Sequence, residues 1–346
     1  MKKLLFLLPF IAACSNSTKN ESAEIPTYQE LNLAFGSCSD QYSPNPLFAE
    51  MASSPLDAFI WLGDIVYADS ESPDSIALAY EMLIESGEYQ ELMNQDFPIL
   101  GTWDDHDYGQ NDAGKEWPIK EESKTELLNF LNVSQDDPIW SREGVYSSHS
   151  FGEFNEVKLI LLDTRWFRDA LVEDTLTENR YTQNYEGDVL GEKQWKWLEN
   201  ELQDEEAKLY IIGSSIQVLA ADHGWEKWDN FPGARDRLMK NLVQANSDNV
   251  VVISGDRHFA EVSKTTWDGK QFYDVTSSGL NHPFIAEADD NRLRVGEVVS
   301  EINYGLLQIS WEGTTPIVKA QIITEGNQIA LEENIVFGES EVPTVQ

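Results

Sequence analysis

One pattern constrains the fold of this chain more than any other: a short apolar run stops abruptly at a loop that carries Asp, His, Cys or Asn. Short apolar runs bounded by such loops are typical of buried β-strands. Stretches with apolar residues at helical spacing, over 75–94 and 191–203, lie between some of these runs. Alternating strands and helices predict a layered α/β fold whose polar side chains gather at the carboxyl ends of the strands. The runs and their loops cover 31–40, 57–67, 98–107, 157–168, 208–217, 249–258 and 272–282.

The C-terminal part of the chain has a different character. The segments 304–311, 317–324 and 333–337, with a Glu-Gly-Thr-Thr turn after the first, predict antiparallel strands at a sheet edge. The sheet should therefore be mixed. Because no internal repeat or low-complexity linker divides the body, we expect a single domain over 28–346.

The charge balance excludes one class of partner. The chain has 24 basic and 61 acidic residues, a net charge of −37, and removing Lys2 and Lys3 with the N-terminus leaves 22 − 61 = −39. A protein that binds nucleic acid needs a basic surface to release counterions from the phosphate backbone. We therefore expect no nucleic-acid partner.

The N-terminus has the layout of a secretory signal. Two lysines precede an apolar run over 4–11, which is too short to span a bilayer, and small residues follow it. Ala12-Ala13-Cys14 resembles the lipobox of bacterial lipoproteins, which predicts a signal peptide over 1–14 and an acylated Cys14. The alternative is an ordinary signal with an incidental cysteine. The polar stretch 15–27 predicts a flexible tether, so we expect a protein anchored by lipid in the cell envelope, facing the periplasm or the cell surface.

Four groups of chemically reactive side chains follow strand ends in a fixed order. Cys38, the only cysteine left after Cys14, has no intramolecular partner for a disulfide and must be buried, reactive or a ligand. Each group alone is weak evidence, since a Gly-Asp after a strand is usually a turn. Together they indicate one convergent site. In chain order the groups are Cys38, then Asp64 with Tyr67, then Asp105 with His106, then Asp256 with His258.

These groups resemble the motifs of the metallophosphoesterase superfamily, and within it those of the alkaline phosphatase D-like family. The resemblance covers roughly 31–282, and it implies a four-layer αββα sandwich with two mixed β-sheets. It also implies metal-dependent hydrolysis of phosphate esters by a site that pairs iron with calcium. The motifs that carry it are Gly-Ser-Cys38, Gly63-Asp64-Ile-Val-Tyr67, Asp104-Asp105-His106-Asp107, Leu162-Asp163-Thr-Arg165-Trp-Phe-Arg168 and Gly255-Asp256-Arg-His258.

The residue types suit a pair of cations. Two metal ions about 3.5–4 Å apart can polarise a phosphoryl oxygen and activate water at neutral pH. Asp64 is the candidate bridging carboxylate, since it follows a strand that ends in a glycine turn. Thiolate and phenolate ligands from Cys38 and Tyr67 favour ferric iron, and His258 would complete that position.

The remaining oxygen donors suit a harder ion. Asp105 and Asp256, together with Asn111, offer the ligands that calcium prefers.

Three further residues are candidates for catalysis. His106 is placed to hold or protonate the leaving oxygen of the ester, or else it hydrogen-bonds a neighbouring carboxylate. Arg165 and Arg168 could clamp phosphate oxygens in bidentate fashion, although one of them could instead pair with Asp163 or Asp169.

These features together predict a monomeric phosphatase or phosphodiesterase that acts on a phosphate-ester small molecule or lipid. The alternative is a metal-binding or glycan-binding surface lipoprotein whose hydrolase site has decayed. Retention of Cys38, Tyr67, His106 and His258 argues against decay. Monoesters, diesters and phospholipids all need the same metals, so the sequence does not separate them.

Overall fold

A computed structural model describes residues 27–284 and 290–338. The predicted signal peptide, the predicted lipidation site Cys14 and all of the predicted tether except Thr27 lie outside these residues. No helix among the described residues is both long and apolar enough to cross a membrane.

The elements alternate along much of the chain and become mostly β-strands after α7. The helices are Pro46–Ala52 (α1), Pro73–Glu85 (α2), Gly87–Met93 (α3), Asp105–Tyr108 (α4), Lys120–Phe130 (α5), Gly191–Glu201 (α6) and Pro232–Val243 (α7), with 3-10 helices at Pro138–Ser141 and Trp228–Asn230. The strands are Leu31–Gly36 (β1), Ala58–Leu62 (β2), Ile99–Thr102 (β3), Ser147–Phe151 (β4), Val157–Leu161 (β5), Val172–Glu173 (β6), Tyr181–Thr182 (β7), Leu209–Ser214 (β8), Val250–Ser254 (β9), Ala260–Trp267 (β10), Lys270–Ser277 (β11), Arg294–Val299 (β12), Asn303–Glu312 (β13), Thr315–Thr324 (β14) and Gln328–Ile335 (β15).

The strands form two large mixed sheets and one small hairpin. The first sheet has the order β15-β14-β13-β1-β2-β3, and the second has the order β12-β10-β11-β9-β8-β5-β4. Pairing is parallel between β1, β2 and β3, and between β5, β8, β9 and β11. The other pairs are antiparallel, and β6 pairs with β7 alone. The prediction of mixed sheets is confirmed.

The two sheets pack face to face, and alternation along each strand explains why. On β1, Leu33 and Phe35 point into a central apolar cluster that also contains Ile211 of β8 and Ile253 of β9. Side chains at alternate positions of a strand lie on opposite faces of the sheet, so the other positions face outward. These outward positions form two further clusters, one on each sheet.

Helices cover both outer faces. Phe59 and Trp61 of β2 pack in a cluster with residues of α1, α2, α3 and α5. Ile212 of β8 packs in another cluster with residues of α6 and α7, including Trp195. The result is the αββα sandwich that the family resemblance implied.

Two details of the sequence-based prediction were wrong. Only β15 is an edge strand among the last three, because β13 pairs with β1 and places Leu307 opposite Leu33 in the central core. The helical pattern over 75–94 is two helices rather than one. Ser86 adopts an extended conformation between them, and its hydroxyl accepts a hydrogen bond from the N–H of Tyr89 at 3.3 Å. Serine followed by glycine favours such a break, because the hydroxyl caps the second helix and glycine weakens the first.

Candidate active site

Four loops meet at one point because they follow strands whose carboxyl ends lie at the same edge. Cys38 follows β1, Asp64 follows β2, Asp105 follows β3, and His258 follows β9. Cys38, Asp64 and His258 have φ values of 57°, 46° and 59°, in the left-handed region that non-glycine residues seldom adopt. Such strained backbone conformations cluster at functional sites, where the surrounding structure enforces them.

Gly63 allows two of these loops to approach closely. It has a φ of 89°, and a Cβ atom at this position would lie 2.3 Å from the Cβ of Asp104. The loop of Asp64 is also tied to the loop of Cys38, since the N–H of Ser39 donates to the carbonyl of Asp64 at 2.8 Å. The glycine predicted as a turn residue therefore also brings Asp64 beside Asp105.

The first donor cluster consists of Cys38, Asp64, Tyr67 and His258. One ligand atom each from Cys38, Asp64 and His258 lies within 4.8 Å of the others. The Sγ of Cys38 is 3.4 Å from Oδ2 of Asp64. The Tyr67 hydroxyl is 3.4 Å from the same oxygen and 3.4 Å from Nε2 of His258. The structure therefore brings together all four residues that the sequence analysis assigned to the iron position.

The second donor cluster consists of Asp64, Asp105 and His106, whose ligand atoms also lie within 4.8 Å of one another. Asp64 belongs to both clusters, which is the geometry that a bridging carboxylate requires. Oδ1 of Asp64 and Oδ1 of Asp105 are buried, and neither has a hydrogen-bond partner among the described residues. Buried carboxylate oxygens without partners are costly, so these two oxygens fit the ligand set of a cation.

Asp256 and Asn111, the other predicted ligands, line the same cavity. Asp256 belongs to neither donor cluster, and the side-chain amide of Asn111 donates to Asp112. Oδ2 of Asp105 accepts from the backbone N–H of Asp112. Asp112, Asp105 and Glu226 form a third group of donor atoms within 4.8 Å of one another.

Burial favours the uncharged form of each of these groups. Burial raises the pKa of the Cys38 thiol to about 11, raises the pKa of Asp64 and Tyr67, and lowers the pKa of His258 to about 4. Burial also raises the pKa of Asp256 to about 7, against the effect of Arg257. A bound cation stabilises deprotonated ligands, so the donor set fits a metal centre better than a set of free acids.

His106 is held by a residue that the sequence analysis missed. Its Nδ1 lies 2.8 Å and 2.9 Å from the two carboxylate oxygens of Asp69. Burial disfavours the charged ring, yet Asp64 and Asp69 outweigh this effect and raise the pKa of His106 to about 10. The ring also packs on Tyr67, with 4.4 Å between ring centroids. Because Nδ1 is occupied, Nε2 is the ring nitrogen available to a ligand.

The structure corrects the prediction that Arg165 and Arg168 clamp phosphate. Both side chains are fully buried and do not line the cavity. Arg165 pairs with Asp104 and, at 2.7 Å, with Glu226, while Arg168 lies 2.9 Å from the other oxygen of Glu226. The partners are therefore not Asp163 or the Asp169 carboxylate, the alternatives suggested by sequence. Two buried carboxylates need buried counter-charges, and the arginines supply them.

The clusters open into a cavity of about 450 Å³, and its wall contains side chains that the motifs did not reveal. Arg180 lies on the wall and pairs with Asp112 at 2.8 Å. Trp225 and Phe284 are each about half exposed, and Phe284 stacks on the ring of His258 with 3.8 Å between centroids. Arg257, Phe259 and His282 complete this wall.

Three other polar residues, Gln217, Asn281 and His282, follow strands β8 and β11, and of these only His282 lines the cavity. Gln217 is buried and donates to Glu261 at 2.8 Å. Asn281 binds the backbone of the loop around Asp40.

Comparison with known proteins gives a consistent assignment. The family described as PhoD-like phosphatase matches residues 77–288, which include Asp105, His106, Asp256 and His258 but not Cys38, Asp64 or Tyr67. Alkaline phosphatase D of Bacillus subtilis (strain 168) is 24% identical over 305 residues, covering 76% of this chain and 51% of that protein. The chain thus spans about half the length of this curated relative.

Solved structures of two phosphatases share the fold. The structure of PhoD superposes with a TM-score of 0.71 at 16% identity, covering 92% of this chain and 74% of that one. The purple acid phosphatase PPD1 from yellow lupin seeds superposes with a TM-score of 0.61 at 11% identity, covering 89% of this chain and 54% of that one.

Proposed function

This chain belongs to the PhoD-like phosphatase family, and from that membership we propose that it is a metal-dependent enzyme that hydrolyses phosphate esters. The main support for this proposal is the position of Asp64. Its carboxylate is shared by two donor clusters, and one of its oxygens is buried with no hydrogen-bond partner in the described part of the chain. This arrangement suits a carboxylate that bridges two metal ions at the carboxyl ends of the strands.

The donor residues of the site support two different metals. A thiol and a phenol beside His258 favour ferric iron, with Cys38 and Tyr67 bound in their anionic forms. Asp105, Asp256 and the carbonyl of Asn111 are oxygen donors and suit calcium. The shared Asp64 would bind both ions.

When bound, the two cations would polarise a phosphoryl oxygen and lower the pKa of water at the site. Side chains of the protein would protonate the leaving group and contact the phosphate. Nε2 of His106 is available on the cavity side to protonate the leaving oxygen of the ester, while Asp69 holds Nδ1 and so fixes the ring orientation. Arg180 and Arg257 line the cavity and replace the two buried arginines as candidates for contact with phosphate oxygens.

The buried arginines have a supporting role. Arg165 and Arg168 compensate the charges of Asp104 and Glu226 behind the cavity. Asp104 immediately precedes Asp105, and Glu226 lies on the cavity wall, so this charge network holds two walls of the site in place.

Hydrolysis of bis(p-nitrophenyl) phosphate by the purified full chain tests the proposal. Activity should be lost after treatment with a chelator and restored by added iron and calcium. Asp64→Asn should be inactive, and Asp268→Asn should match the wild type. Asp268 is a suitable control because it also has a positive φ, 49°, but lies exposed in the turn between β10 and β11.

Two results would contradict the proposal. Full activity in the presence of a strong chelator would exclude a metal-dependent reaction. A protein that holds its metals but hydrolyses no monoester, diester or phospholipid would instead support a metal-binding protein with a decayed site. Turnover rates on the monoester, the diester and the phospholipid would also show which class of ester the enzyme hydrolyses fastest.

For location, we propose a lipid anchor at Cys14 in the cell envelope. The signal-like N-terminus and the lipobox pattern are its support.

A further inference from the structure

A second cavity, of about 290 Å³, lies where the free edges of the two sheets meet. Its walls include residues of β3, the edge of the first sheet, and of β4, the edge of the second. Its volume is near the lower end of the range for small-molecule pockets, about 300–1,000 Å³. Aliphatic side chains form much of the lining: Ile99, Leu100, Leu127, Leu128, Leu131, Val133, Ile139 and Val145. None of these residues belongs to the candidate active site.

The lining also includes the polar residues Asp137, Ser147, Ser148 and His149, and the cationic Arg142. The guanidinium of Arg142 lies 4.2 Å from the ring centroid of Tyr146 and 5.7 Å from that of Trp197. Its Nε is buried and has no hydrogen-bond partner among residues 27–284 and 290–338. A buried donor without an acceptor costs free energy, so this position favours a ligand that supplies one.

Arg142 differs from every other arginine of the chain. All nine arginines lie in the described residues, and Arg142 alone has no carboxylate oxygen of another described residue within 4.0 Å. This is notable in a chain with 61 acidic and 24 basic residues, where acidic partners are abundant. The eight paired arginines are Arg165, Arg168, Arg180, Arg235, Arg237, Arg257, Arg292 and Arg294.

Asp137 is the acidic residue in the cavity wall, and one of its oxygens accepts a hydrogen bond from the backbone. This oxygen, Oδ1, accepts from the N–H of Ile139 at 2.8 Å, which caps a 3-10 helix. The cavity therefore combines a partly aliphatic lining with a guanidinium that has no carboxylate oxygen within 4.0 Å in the part of the chain that the structure describes.

We propose that this cavity binds a single-chain aliphatic amphiphile with an anionic head group. The head group pairs with Arg142, whose planar guanidinium matches carboxylate and phosphate oxygens. The aliphatic chain lies against the leucine and isoleucine side chains between the sheet edges, where burial of methylene groups drives binding. This proposal is independent of the phosphoesterase assignment, because the two sites share no lining residue.

Titration calorimetry of the full chain tests the proposal with three ligands that share one chain length. Sodium decanoate should bind at one saturable site, and neutral decanol should bind at least about tenfold more weakly. Decylphosphonate, which has no ester bond for the proposed phosphoesterase to cleave, distinguishes a phosphonate head from a carboxylate head. Arg142→Met should weaken decanoate binding about 10- to 100-fold, the range for a lost hydrogen bond to a charged group, and leave decanol binding unchanged.

Two further variants make the test specific. Arg237→Met is the matched control, because Arg237 lies on α7 and pairs with Glu192 and Glu199 away from this cavity. It should bind decanoate like the wild type. Val133→Trp should fill the cavity and abolish binding of all three ligands.

Three results would overturn the proposal: no saturable decanoate binding, equal affinity for decanol, or unchanged decanoate affinity in Arg142→Met. The near-UV circular dichroism of each variant reports whether it is folded. If Arg142→Met does not fold, Val133→Trp decides, since retained decanoate binding there would contradict the proposed location.

Discussion

Replacing Asp69 with asparagine should slow hydrolysis to an extent that depends on the leaving group of the substrate. Nδ1 of His106 lies 2.8 Å from one oxygen of Asp69 and 2.9 Å from the other. This contact orients the ring so that Nε2 can donate a proton to the leaving oxygen. The amide introduced by Asp69→Asn would keep a neutral hydrogen bond but lose the charge that stabilises the protonated ring.

The magnitude follows from the solvent exposure of the pair. A hydrogen bond to a charged group contributes about 1.5–3 kcal/mol. The Asp69 side chain is 46% exposed and that of His106 is 18% exposed, so water screens the contact and the lower end of the range applies. About 1.5 kcal/mol corresponds to roughly a tenfold decrease in kcat.

The assay compares two phosphate esters, one with a p-nitrophenyl and one with an alkyl leaving group. The tenfold decrease should be seen with the alkyl ester, whose leaving oxygen needs a proton. The p-nitrophenyl ester should be affected much less, since p-nitrophenolate leaves without protonation. Asp268→Asn serves again as the control. An equal decrease in kcat with both esters, or a loss of bound metal, would refute the positioning role of Asp69.

Four other predictions concern separate parts of the molecule. His106→Ala should lower turnover by about 10²–10⁴, the range for a lost general acid, with the metal content unchanged in elemental analysis; loss of metal would instead make His106 a ligand together with Asp64 and Asp105. Arg165→Met should lower the free energy of unfolding by about 3–5 kcal/mol in urea denaturation, because it leaves buried carboxylates without a counter-charge; a loss below about 1 kcal/mol would contradict the buried network. Ferric iron bound by phenolate should colour the protein, and Tyr67→Phe should shift or bleach the visible band. Cys14→Ala should move the protein from the membrane fraction to the soluble fraction of the cell, and unchanged anchoring would exclude lipidation there.

Much of the fold could be predicted because its signals are local. The apolar run of each strand and the polar loop that follows it are adjacent in sequence, so the alternation of elements is visible without tertiary information. The family resemblance supplied the two-sheet arrangement. The position of β13 beside β1 could not be read from the chain, because the two strands lie near opposite ends of the sequence and pair through packing rather than local pattern.

Some residues of the candidate site could likewise be identified from the sequence, and others could not. Cys38, Asp64 and His258 could be identified because each immediately follows a strand, and strand ends converge. Asp69 was missed because its contact with His106 depends on the course of a loop and bridges 37 positions in the sequence. Arg165 was misassigned because a sequence shows a charge but not its partner, and Asp104 lies 61 positions away.

Metal stoichiometry in three proteins tests the central claim, that Asp64 is shared by two metal ions. Elemental analysis of the wild type should find about two metal ions per chain, one of them iron. Cys38→Ala should lose the iron and retain the second ion, whereas Asp64→Asn should lose both, because its carboxylate contributes to both clusters. An Asp64→Asn protein that still binds one ion at full occupancy, or a wild type that binds only one, would contradict a shared bridging carboxylate.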